Sequence, residues 1–407
     1  MTERFRFPVR INREGGYFED QEGRPFFWHG DTCWRIFWMM TYEEACRYLE
    51  DRAQKGFTVI QVHMLPHHIY QANVYGENPF LEPGKIDRLN EAYFAHADRV
   101  IACARSLGLA VAIAPMWLSV WEDDWYQYYH GEPVLSYARQ LAQRYERFDN
   151  VIAFLHGGDD DATALHGEIR RCVPEFKKYA PHVLGTFHAG IGPGYPFFGE
   201  EDWYEFCMNY TYDYDQCIRQ MREARQKYPE KPALLGETHY DGNDGICPAL
   251  IRKFAYTSVL LGGAGHTYGN KDIWMATMFW PDALYTAAAQ HMMVLREIFD
   301  GLLWHRFVPD TEGRRLQNVR VLMPNASDRY IPAAGIRGER TVVAYLSDRR
   351  YFTVRGKGRY NGTWIDPVSG RRFAFTKEAG ETLQIPGHNA DGSDDWLLLA
   401  SFEEEVV

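Results

Sequence analysis

The sequence predicts an α/β protein, a (β/α)8 or TIM barrel followed by a small antiparallel β-sandwich domain. Up to about residue 300, apolar runs of β type alternate with longer segments of helical period, which is typical of a parallel sheet wrapped by helices. After that point the apolar runs are short, alternate with period two and are separated by Gly, Asp, Asn and Pro turns. We therefore expect the barrel over residues 1–300 and the sandwich over residues 301–407.

Eight apolar runs supply the predicted barrel strands. Eight strand and helix units in about 270 residues match the usual size of this fold. The runs are FFWHG (26–30), FTVIQVH (57–63), LAVAIAPMW (109–117), NVIAFLHGG (150–158), HVLGTFH (182–188), WYEFCMNY (203–210), PALLGE (232–237) and GAGHTYG (263–269).

Helical segments separate these runs, and two of them carry clear end signals. In the segment 41–56, Thr41 and Glu44 form a capping box and Gly56 marks the stop. The segment 90–108 is opened by Asn and closed by Gly. A doubly wound open sheet is the competing fold, but no GxGxxG motif follows the first strand.

Composition restricts the partners of the protein. A net charge of -11 leaves no basic stripe for nucleic acid and argues against anionic membrane surfaces. The 12 Trp and 26 Tyr residues offer many ring faces, which suit sugar rings but also ordinary packing. We expect a small partner that is not a polyanion.

Cysteine usage and the N-terminus indicate the compartment. Seven cysteines without a CxxC pair fit reduced thiols better than a disulfide framework or a zinc knuckle. The N-terminal residues have no apolar core of signal-peptide length, and no run of about 18 apolar residues occurs anywhere. These features predict a cytoplasmic protein.

Two carboxylates stand at the ends of predicted strands. Asp159 follows the fourth run and Glu237 ends the seventh. Side chains at the carboxyl ends of barrel strands point into one mouth. Hydrolysis of a glycoside needs two carboxyl groups, one to protonate the leaving oxygen and one to attack the sugar or activate water. Either residue alone has an ordinary explanation, such as a helix N-cap for Asp159, but their joint placement favours a catalytic pair.

A series of motifs resembles a known family. In order along the chain they are GRPFFWHGDTCW (23–34), GFTVIQVHMLP (56–66), HGGDDD (156–161), LLGETHY (234–240), GAGHTYGNKDIW (263–274) and the C-terminal RYFTVRG and YNGTWIDPVSG. They are similar to the apiosidase-like glycoside hydrolases of glycoside hydrolase family 140, which join a barrel to a β-sandwich labelled a collagen-binding domain. The resemblance implies that Asp159 is the general acid/base and Glu237 the nucleophile of a retaining enzyme.

The chain departs from the wider superfamily at the acid. Where that superfamily usually carries an Asn-Glu pair at strand four, this chain has Gly158 and Asp159, a side chain one methylene shorter and without the amide. The separation of the two carboxylates decides between retention and inversion, because inversion leaves room for a water molecule.

Other residues near the predicted mouth are candidates for binding substrate. Asp31 either accepts sugar hydroxyls or caps a turn, and each tryptophan either stacks on a sugar or packs in the core. Tyr212 is the candidate that hydrogen-bonds Glu237, with Tyr210 and Tyr214 as alternatives. The predicted substrate-binding set is Asp31, Trp34, His63, Trp117, Tyr212, His239, His266, Tyr268 and Trp274, with Trp121 as a further stacking candidate.

Histidines at strand ends invite a metal interpretation, which their spacing does not support. The residues are His63, His67, His68, His188, His239 and His266. They fit no compact zinc motif, since HxxxHH is not HExxH. Imidazoles that bind hydroxyls or orient Glu237 are favoured, above all His239 and His266.

The sequence therefore predicts a glycoside hydrolase that removes a terminal sugar from an oligosaccharide or glycoside, with no cofactor and no metal. Two alternatives stay open. One is a carbohydrate-binding or adhesion protein on a barrel scaffold, and the other is a metal-dependent barrel hydrolase. The sugar, its linkage and the oligomeric state are not predicted.

Overall fold

The computed structural model describes residues 5–119, 123–321 and 330–403 and confirms the predicted architecture of a barrel followed by an antiparallel sandwich. A small antiparallel sheet precedes the barrel. Its strands are β1 (Arg10–Asn12), β2 (Tyr17–Glu19) and β3 (Pro25–Phe26). Strands of two or three residues are too short to produce a recognisable alternation, so the sequence does not reveal this sheet.

Seven of the eight predicted apolar runs contain a complete barrel strand, and the first run, 26–30, overlaps β4 but ends two residues before it does. The strands pair in parallel in the order β8-β7-β6-β5-β4-β11-β10-β9. They are β4 (Trp28–Thr32), β5 (Val59–His63), β6 (Ala110–Ala114), β7 (Val151–Gly157), β8 (Leu184–His188), β9 (Cys207–Tyr210), β10 (Ala233–Glu237) and β11 (Gly265–Tyr268).

Hydrogen bonds between the two end strands close the barrel. The amide of Glu205, just before β9, donates to the carbonyl oxygen of Gly185 in β8 at 2.8 Å. The hydroxyl of Thr186 donates to the carbonyl oxygen of Phe206 at 2.6 Å. With these contacts the carboxyl ends of all eight strands surround one mouth.

The N-terminal sheet covers the opposite end of the barrel. The ring of Phe18 in β2 lies 5.5 Å from that of Trp28 and 5.4 Å from that of Phe206, measured between centroids. Trp28 begins β4 and Phe206 precedes β9, so the contact is at the amino ends of the strands. Ligand access is therefore confined to the carboxyl end.

Helices connect the strands, and both predicted end signals are confirmed. Thr41 and Glu44 form the capping box of α2, and Asn90 and Gly108 cap α3. The helices are α1 (Ile36–Met39), α2 (Tyr42–Gln54), α3 (Glu91–Leu107), α4 (Gly131–Tyr145), α5 (His166–Tyr179), α6 (Tyr195–Phe198), α7 (Tyr214–Lys227), α8 (Pro248–Leu260), α9 (Lys271–Trp274), α10 (Trp280–Ala283) and α11 (Ala287–Asp300).

Two antiparallel sheets form the C-terminal sandwich. The larger has the strand order β12-β14-β15-β20-β17-β18 and the smaller β13-β16-β19, and residues such as Phe352 and Leu398 fill the space between them. The strands are β12 (Phe307–Pro309), β13 (Leu316–Val321), β14 (Ala333–Ile336), β15 (Thr341–Leu346), β16 (Arg350–Val354), β17 (Arg359–Ile365), β18 (Arg372–Glu378), β19 (Thr382–Leu383) and β20 (Trp396–Phe402).

The other face of the larger sheet packs on the barrel helices. One apolar cluster contains Phe299 of α11, Tyr256 of α8 and Tyr345 of β15, and the two tyrosine rings stack 5.1 Å apart. The last barrel helix ends at Asp300 and β12 begins at Phe307. Because barrel and sandwich share this apolar cluster, the division of the chain into two domains at residue 300 stays a prediction.

A buried ionic network also joins barrel and sandwich. Arg252 of α8 donates from Nε and one terminal nitrogen to both oxygens of Asp395, each at 2.7 Å. Its other terminal nitrogen donates to Asp391 at 2.9 Å. Tyr345 and Asn389 donate to the same Asp395 carboxylate at 2.8 and 2.7 Å. Every nitrogen of the guanidinium and both oxygens of Asp395 are therefore paired.

Two further features bear on the sequence predictions. Across the described ranges, no helix has both the length and the apolarity to cross a bilayer. All seven cysteines are free thiols, although the sulfur atoms of Cys46 on α2 and Cys103 on α3 lie 2.6 Å apart. The cytoplasmic location stays a prediction.

Candidate active site

Asp159 and Glu237 lie together at the mouth of the barrel. Asp159 follows β7, and Glu237 is the last residue of β10. One carboxylate oxygen of each and a ring nitrogen of His188, at the end of β8, all lie within 4.8 Å of one another. Glu237 is 6% exposed, whereas Asp159 is open to solvent. The pocket thus presents one sheltered and one accessible carboxylate.

Two glycines position Asp159. Gly157 has a φ of +97°, and a Cβ atom there would lie 2.1 Å from the carbonyl oxygen of His188. A Cβ atom on Gly158 would lie 2.2 Å from the carbonyl oxygen of Leu118. No side chain fits at either position, so the chain between β7 and Asp159 runs closely between two neighbouring backbone segments.

His188 binds Glu237 in a way that fixes its protonation. Its Nδ1 atom lies 3.0 Å from the carbonyl oxygen of Ala189 and 3.2 Å from that of Gly158. Because carbonyl oxygens only accept, Nδ1 carries a proton. Its Nε2 atom lies 2.9 Å from Oε2 of Glu237, so a proton is shared between the imidazole and the carboxyl group.

The electrostatic surroundings of His188 agree with this assignment. Burial opposes the charged form, but the hydrogen bond to Glu237 and the negative charges of Glu237 and Asp159 outweigh it and raise the pKa of His188 above its usual value. The two negative charges therefore favour the protonated form of His188.

Tyr240 holds the other oxygen of Glu237. Its hydroxyl donates to Oε1 at 2.9 Å and accepts the indole N–H of Trp34 at 2.9 Å. Burial and the charge of Glu237 raise the pKa of Tyr240, so its hydroxyl stays a donor. Each oxygen of Glu237 thus has a fixed partner, which orients the carboxylate toward the pocket.

Three stacked rings line the pocket beside the carboxylates. The ring of His63 lies 4.6 Å from that of Trp34 and 4.3 Å from that of Trp117. The indole N–H of Trp117 donates to Asp159 at 3.3 Å. These three predicted residues are brought together with Asp159 and Glu237, whereas Trp121 lies outside the described residues.

His63 is a neutral imidazole with unused hydrogen-bonding capacity. It is 3% exposed, and neither ring nitrogen has a partner among the described residues. Burial and the nearby charges of His67, His188 and Arg35 hold its pKa well below the usual value. A buried ring with two unpaired nitrogens beside Glu237 is suited to a bound hydroxyl, which can both donate and accept.

Trp274 lies at the rim of the mouth. Its ring is 5.9 Å from that of Tyr240, and the Arg35 guanidinium lies 5.0 Å above its face. Trp274 is half-buried, so one side of the indole remains accessible. This placement agrees with its predicted position at the mouth.

Tyr212 and His239 occupy different positions from those expected. The Tyr212 hydroxyl pairs with that of Tyr210 at 2.7 Å, and Tyr212 is 37% exposed. His239 packs against the rings of Tyr212 and Phe254. The hydrogen bonds to Glu237 come instead from His188 and Tyr240, so the expectation that Tyr212 or His239 orients the nucleophile is not met.

Asp31, His266 and Tyr268 lie behind the barrel wall rather than in the mouth. Asp31 is fully buried and accepts hydrogen bonds from Tyr48 and Arg52 of α2.

His266 lies 3.1 Å from His29, and burial lowers its pKa to about 3. The Tyr268 hydroxyl donates to Asp241 at 2.8 Å. The structure does not bring Asp31, His266 or Tyr268 to the mouth, because their side chains face the helix layer.

Residues that the sequence did not single out complete the mouth. Tyr240 is three residues beyond Glu237, and Arg35 follows Trp34 directly, but neither position has a pattern that separates it from other Tyr or Arg residues. The Tyr210 ring lies 5.2 Å from that of His188. Only proximity in the folded chain identifies Arg35 and Tyr240.

Asp159, His188 and Glu237 could also hold a cation. Two carboxylates and an imidazole are suitable ligands, and their atoms lie close enough to share an ion. Ligation by His188 would need a bare Nε2, which Nδ1–H donation to the carbonyls of Gly158 and Ala189 permits. The metal alternative therefore narrows to this one set among the described residues.

Comparisons with known proteins agree with this picture. A solved glycoside hydrolase is 23% identical, covers 97% of both chains and superposes with a TM-score of 0.82. A glycoside hydrolase of family 5 from Bacteroides vulgatus is 20% identical, with coverage of 98% of this chain and 95% of that chain and a TM-score of 0.84. At these identities the likeness shows a shared fold. No curated protein matches the chain in sequence.

The family assignment rests on the barrel. The family model for the apiosidase-like catalytic domain matches residues 12–306, which include every barrel strand and both carboxylates at the mouth. The resemblance carried by the motifs is therefore confirmed. The chain belongs to the apiosidase-like family and is a glycoside hydrolase.

Proposed function

We propose that this glycoside hydrolase releases a terminal sugar from an oligosaccharide or glycoside by a retaining mechanism, with Glu237 as nucleophile and Asp159 as acid/base. The observation that carries the proposal is the closeness of the two groups, whose nearest carboxylate oxygens lie within 4.8 Å. Retaining enzymes hold their carboxyl groups about 5–5.5 Å apart, whereas inverting enzymes need about 6.5–9.5 Å.

In the first step Glu237 attacks the anomeric carbon. A bond forms between a Glu237 oxygen and that carbon while the bond to the leaving oxygen breaks, and its electron pair takes the proton of Asp159. Tyr240 and His188 support Glu237 because each fixes one of its oxygens. Hydrogen bonds to both oxygens aim the carboxylate before substrate binds.

In the second step Asp159 acts as a base. It removes a proton from water, which attacks the anomeric carbon and displaces Glu237 with overall retention. Asp159 is open to solvent. An open position supports this step, since the attacking water needs a route to the acid/base residue.

Glu237→Gln is the primary test. The variant should lose hydrolysis of a panel of nitrophenyl furanosides and pyranosides, while Glu339→Gln, in an exposed turn of the sandwich, should keep the activity of the parent. NMR of the first product formed should show the anomer of the substrate. Activity that survives in Glu237→Gln, or an inverted first product, would contradict the mechanism.

The same assay separates the two alternatives. Activity that EDTA removes and a divalent cation restores would favour the metal-dependent hydrolase, with Asp159, His188 and Glu237 as ligands. A parent protein that binds sugars and hydrolyses none of the panel would favour the binding protein. We expect full activity in EDTA.

A further inference from the structure

We propose that a groove beside the mouth binds the leaving-group portion of the substrate, and that this portion is a neutral sugar. The inference rests on the proposed function. The groove has a volume of about 690 Å³ and runs from Ile191 and Tyr212 to the first three turns of α7. This volume lies within the range of about 300–1,000 Å³ that small-molecule sites occupy.

Tyr212 and Tyr210 connect the groove with the surroundings of Glu237. Tyr212 is a lining residue, and its hydroxyl lies 2.7 Å from that of Tyr210. The Tyr210 ring lies 5.2 Å from that of His188, whose Nε2 atom lies 2.9 Å from Glu237. The Tyr212 end of the groove therefore lies beside the residues that hold Glu237.

The groove lies on the side of the acid. The loop that contributes Ile191, Gly192 and Pro193 begins at Gly190, where an added Cβ atom would lie 3.3 Å from the backbone oxygen of Asp159. The acid must touch the glycosidic oxygen, and the other substituent of that oxygen is the leaving group. A groove that borders Asp159 is therefore placed for the leaving group rather than for the sugar that Glu237 attacks.

A buried glutamine supplies an unused acceptor in the groove. Gln220 lines the groove and is 5% exposed, and its Oε1 atom has no hydrogen-bond partner among the described residues. Leaving a buried polar atom unpaired costs about 1–3 kcal/mol. A ligand hydroxyl that donates to Oε1 would recover this cost.

The rest of the lining fits a sugar ring. Gln216 and Arg219 of α7 provide polar edges, and Ile191, 69% exposed, and Tyr212 provide apolar faces. Sugars present hydroxyl edges and apolar C–H faces, so they use both kinds of surface.

Charge and polarity in the groove narrow the ligand further. The charged lining residues are Asp213, Arg219 and Glu223, which give one net negative charge. An acidic sugar is disfavoured by that charge, and a purely hydrocarbon leaving group by the polar face of α7.

The test compares two substrates with the same transferred sugar. One is the nitrophenyl glycoside that the panel identifies, and the other is the disaccharide in which that sugar is linked to glucose. Gln220→Leu keeps the side-chain volume and removes the acceptor, and Arg219→Ala is a second, exposed variant in case the first fails to fold. Gln226→Leu, exposed on α7 and outside the groove lining, is the matched control.

We expect Gln220→Leu to lower kcat/KM about 10-fold on the disaccharide, which corresponds to one hydrogen bond, and to leave kcat/KM on the nitrophenyl glycoside unchanged. Gln226→Leu should change neither. An equal fall on both substrates, or no fall on either, in both groove variants would overturn the proposal. Failure of the proposed function is distinguishable, because Glu237→Gln would then keep its activity on both substrates.

Discussion

The Arg252–Asp395 network and the Glu237 pocket are both buried, charged and lined by aromatic rings, but only the first is fully paired. All three nitrogens of Arg252 donate, and both oxygens of Asp395 accept two hydrogen bonds each. In the pocket, His63 has two unpaired nitrogens, and Asp159 is open to solvent. Folding alone supplies hydrogen-bond partners for the Arg252–Asp395 network, whereas we expect a ligand to supply the partners of the Glu237 pocket.

The difference teaches that a buried charge by itself does not mark a site. Asp31 is as buried as any residue in the pocket, but its oxygens are occupied by Thr32, Tyr48 and Arg52. An unpaired atom is not sufficient either, since His96 also has two unpaired nitrogens. The informative combination is unused hydrogen-bonding capacity next to a pair of close carboxylates.

The largest expected effect is on stability. Arg252→Met leaves Asp395 buried without its cation, and we expect the free energy of unfolding to fall by about 3–5 kcal/mol. Urea unfolding followed by fluorescence measures this change. The matched control is Arg349→Met, which breaks a partly exposed pair with Asp394 and should cost about 0–1 kcal/mol.

The folded fraction of Arg252→Met should retain the kcat/KM of the parent. If Arg252→Met unfolds like the parent but loses activity, the network would serve catalysis rather than stability, and the comparison with the Glu237 pocket would fail.

The next effect is on catalysis through the acid. Asp159→Asn removes the proton donor, so we expect kcat/KM on the disaccharide to fall by about 10²- to 10⁴-fold. The nitrophenyl glycoside should lose much less in this first step, because nitrophenolate leaves without protonation. Added azide should restore turnover by attacking the glycosyl-enzyme and should give a glycosyl azide of retained configuration. A uniform loss on both substrates would argue against Asp159 as the acid.

A smaller effect is expected for the orientation of the nucleophile. Tyr240→Phe removes the hydrogen bond to Oε1 of Glu237, and a bond to a charged group is worth about 1.5–3 kcal/mol. We expect kcat on the nitrophenyl glycoside to fall at least about 10-fold. Tyr212→Phe, which makes no hydrogen bond to Glu237, should lower it less; the opposite ranking would restore Tyr212 as the orienting residue.

The smallest effect is on pH dependence. The pKa of His188 is raised in the folded protein, so its pairing with Glu237 contributes stability that is fully present below its unfolded pKa of about 6.5 and is lost as the pH rises through the raised value. In Glu237→Gln the partner charge is gone, and NMR titration of the imidazole should show a lower pKa for His188. An unchanged titration would show that the two groups are not coupled.

Much of the fold follows from the sequence because its signals are local. Seven of the eight barrel strands lie within the predicted apolar runs, β4 overlaps its run and extends two residues beyond it, and the caps at Thr41 and Asn90 are where the residues indicate. The N-terminal sheet is missed because its strands are too short. The positions of Asp159 and Glu237 follow from the rule that strand ends share one mouth.

The site residues that were misplaced share one physical cause. Parallel strands buried on both faces show no alternation of polar and apolar residues, and β4 (WHGDT) and β11 (GHTY) are buried at every position, so the sequence does not reveal which of their residues face inward. His266 lies opposite His29 in the neighbouring strand, and Tyr268 lies opposite Asp31. Because residues opposite each other in paired strands face the same side of the sheet, both members of each pair face outward. Contacts from distant segments, such as His188 to Glu237, are equally invisible before folding.

The two glycines that precede Asp159 give the enzyme an unusual form of constraint. Asp159, the proposed acid, is located by backbone contacts at Gly157 and Gly158, which contribute no functional group, while the wall of the proposed groove on α7 consists of side chains. Substrate preference in such a protein can drift through substitutions on one helix. The chemistry itself can be lost by adding a single methyl group at a position that never touches the sugar.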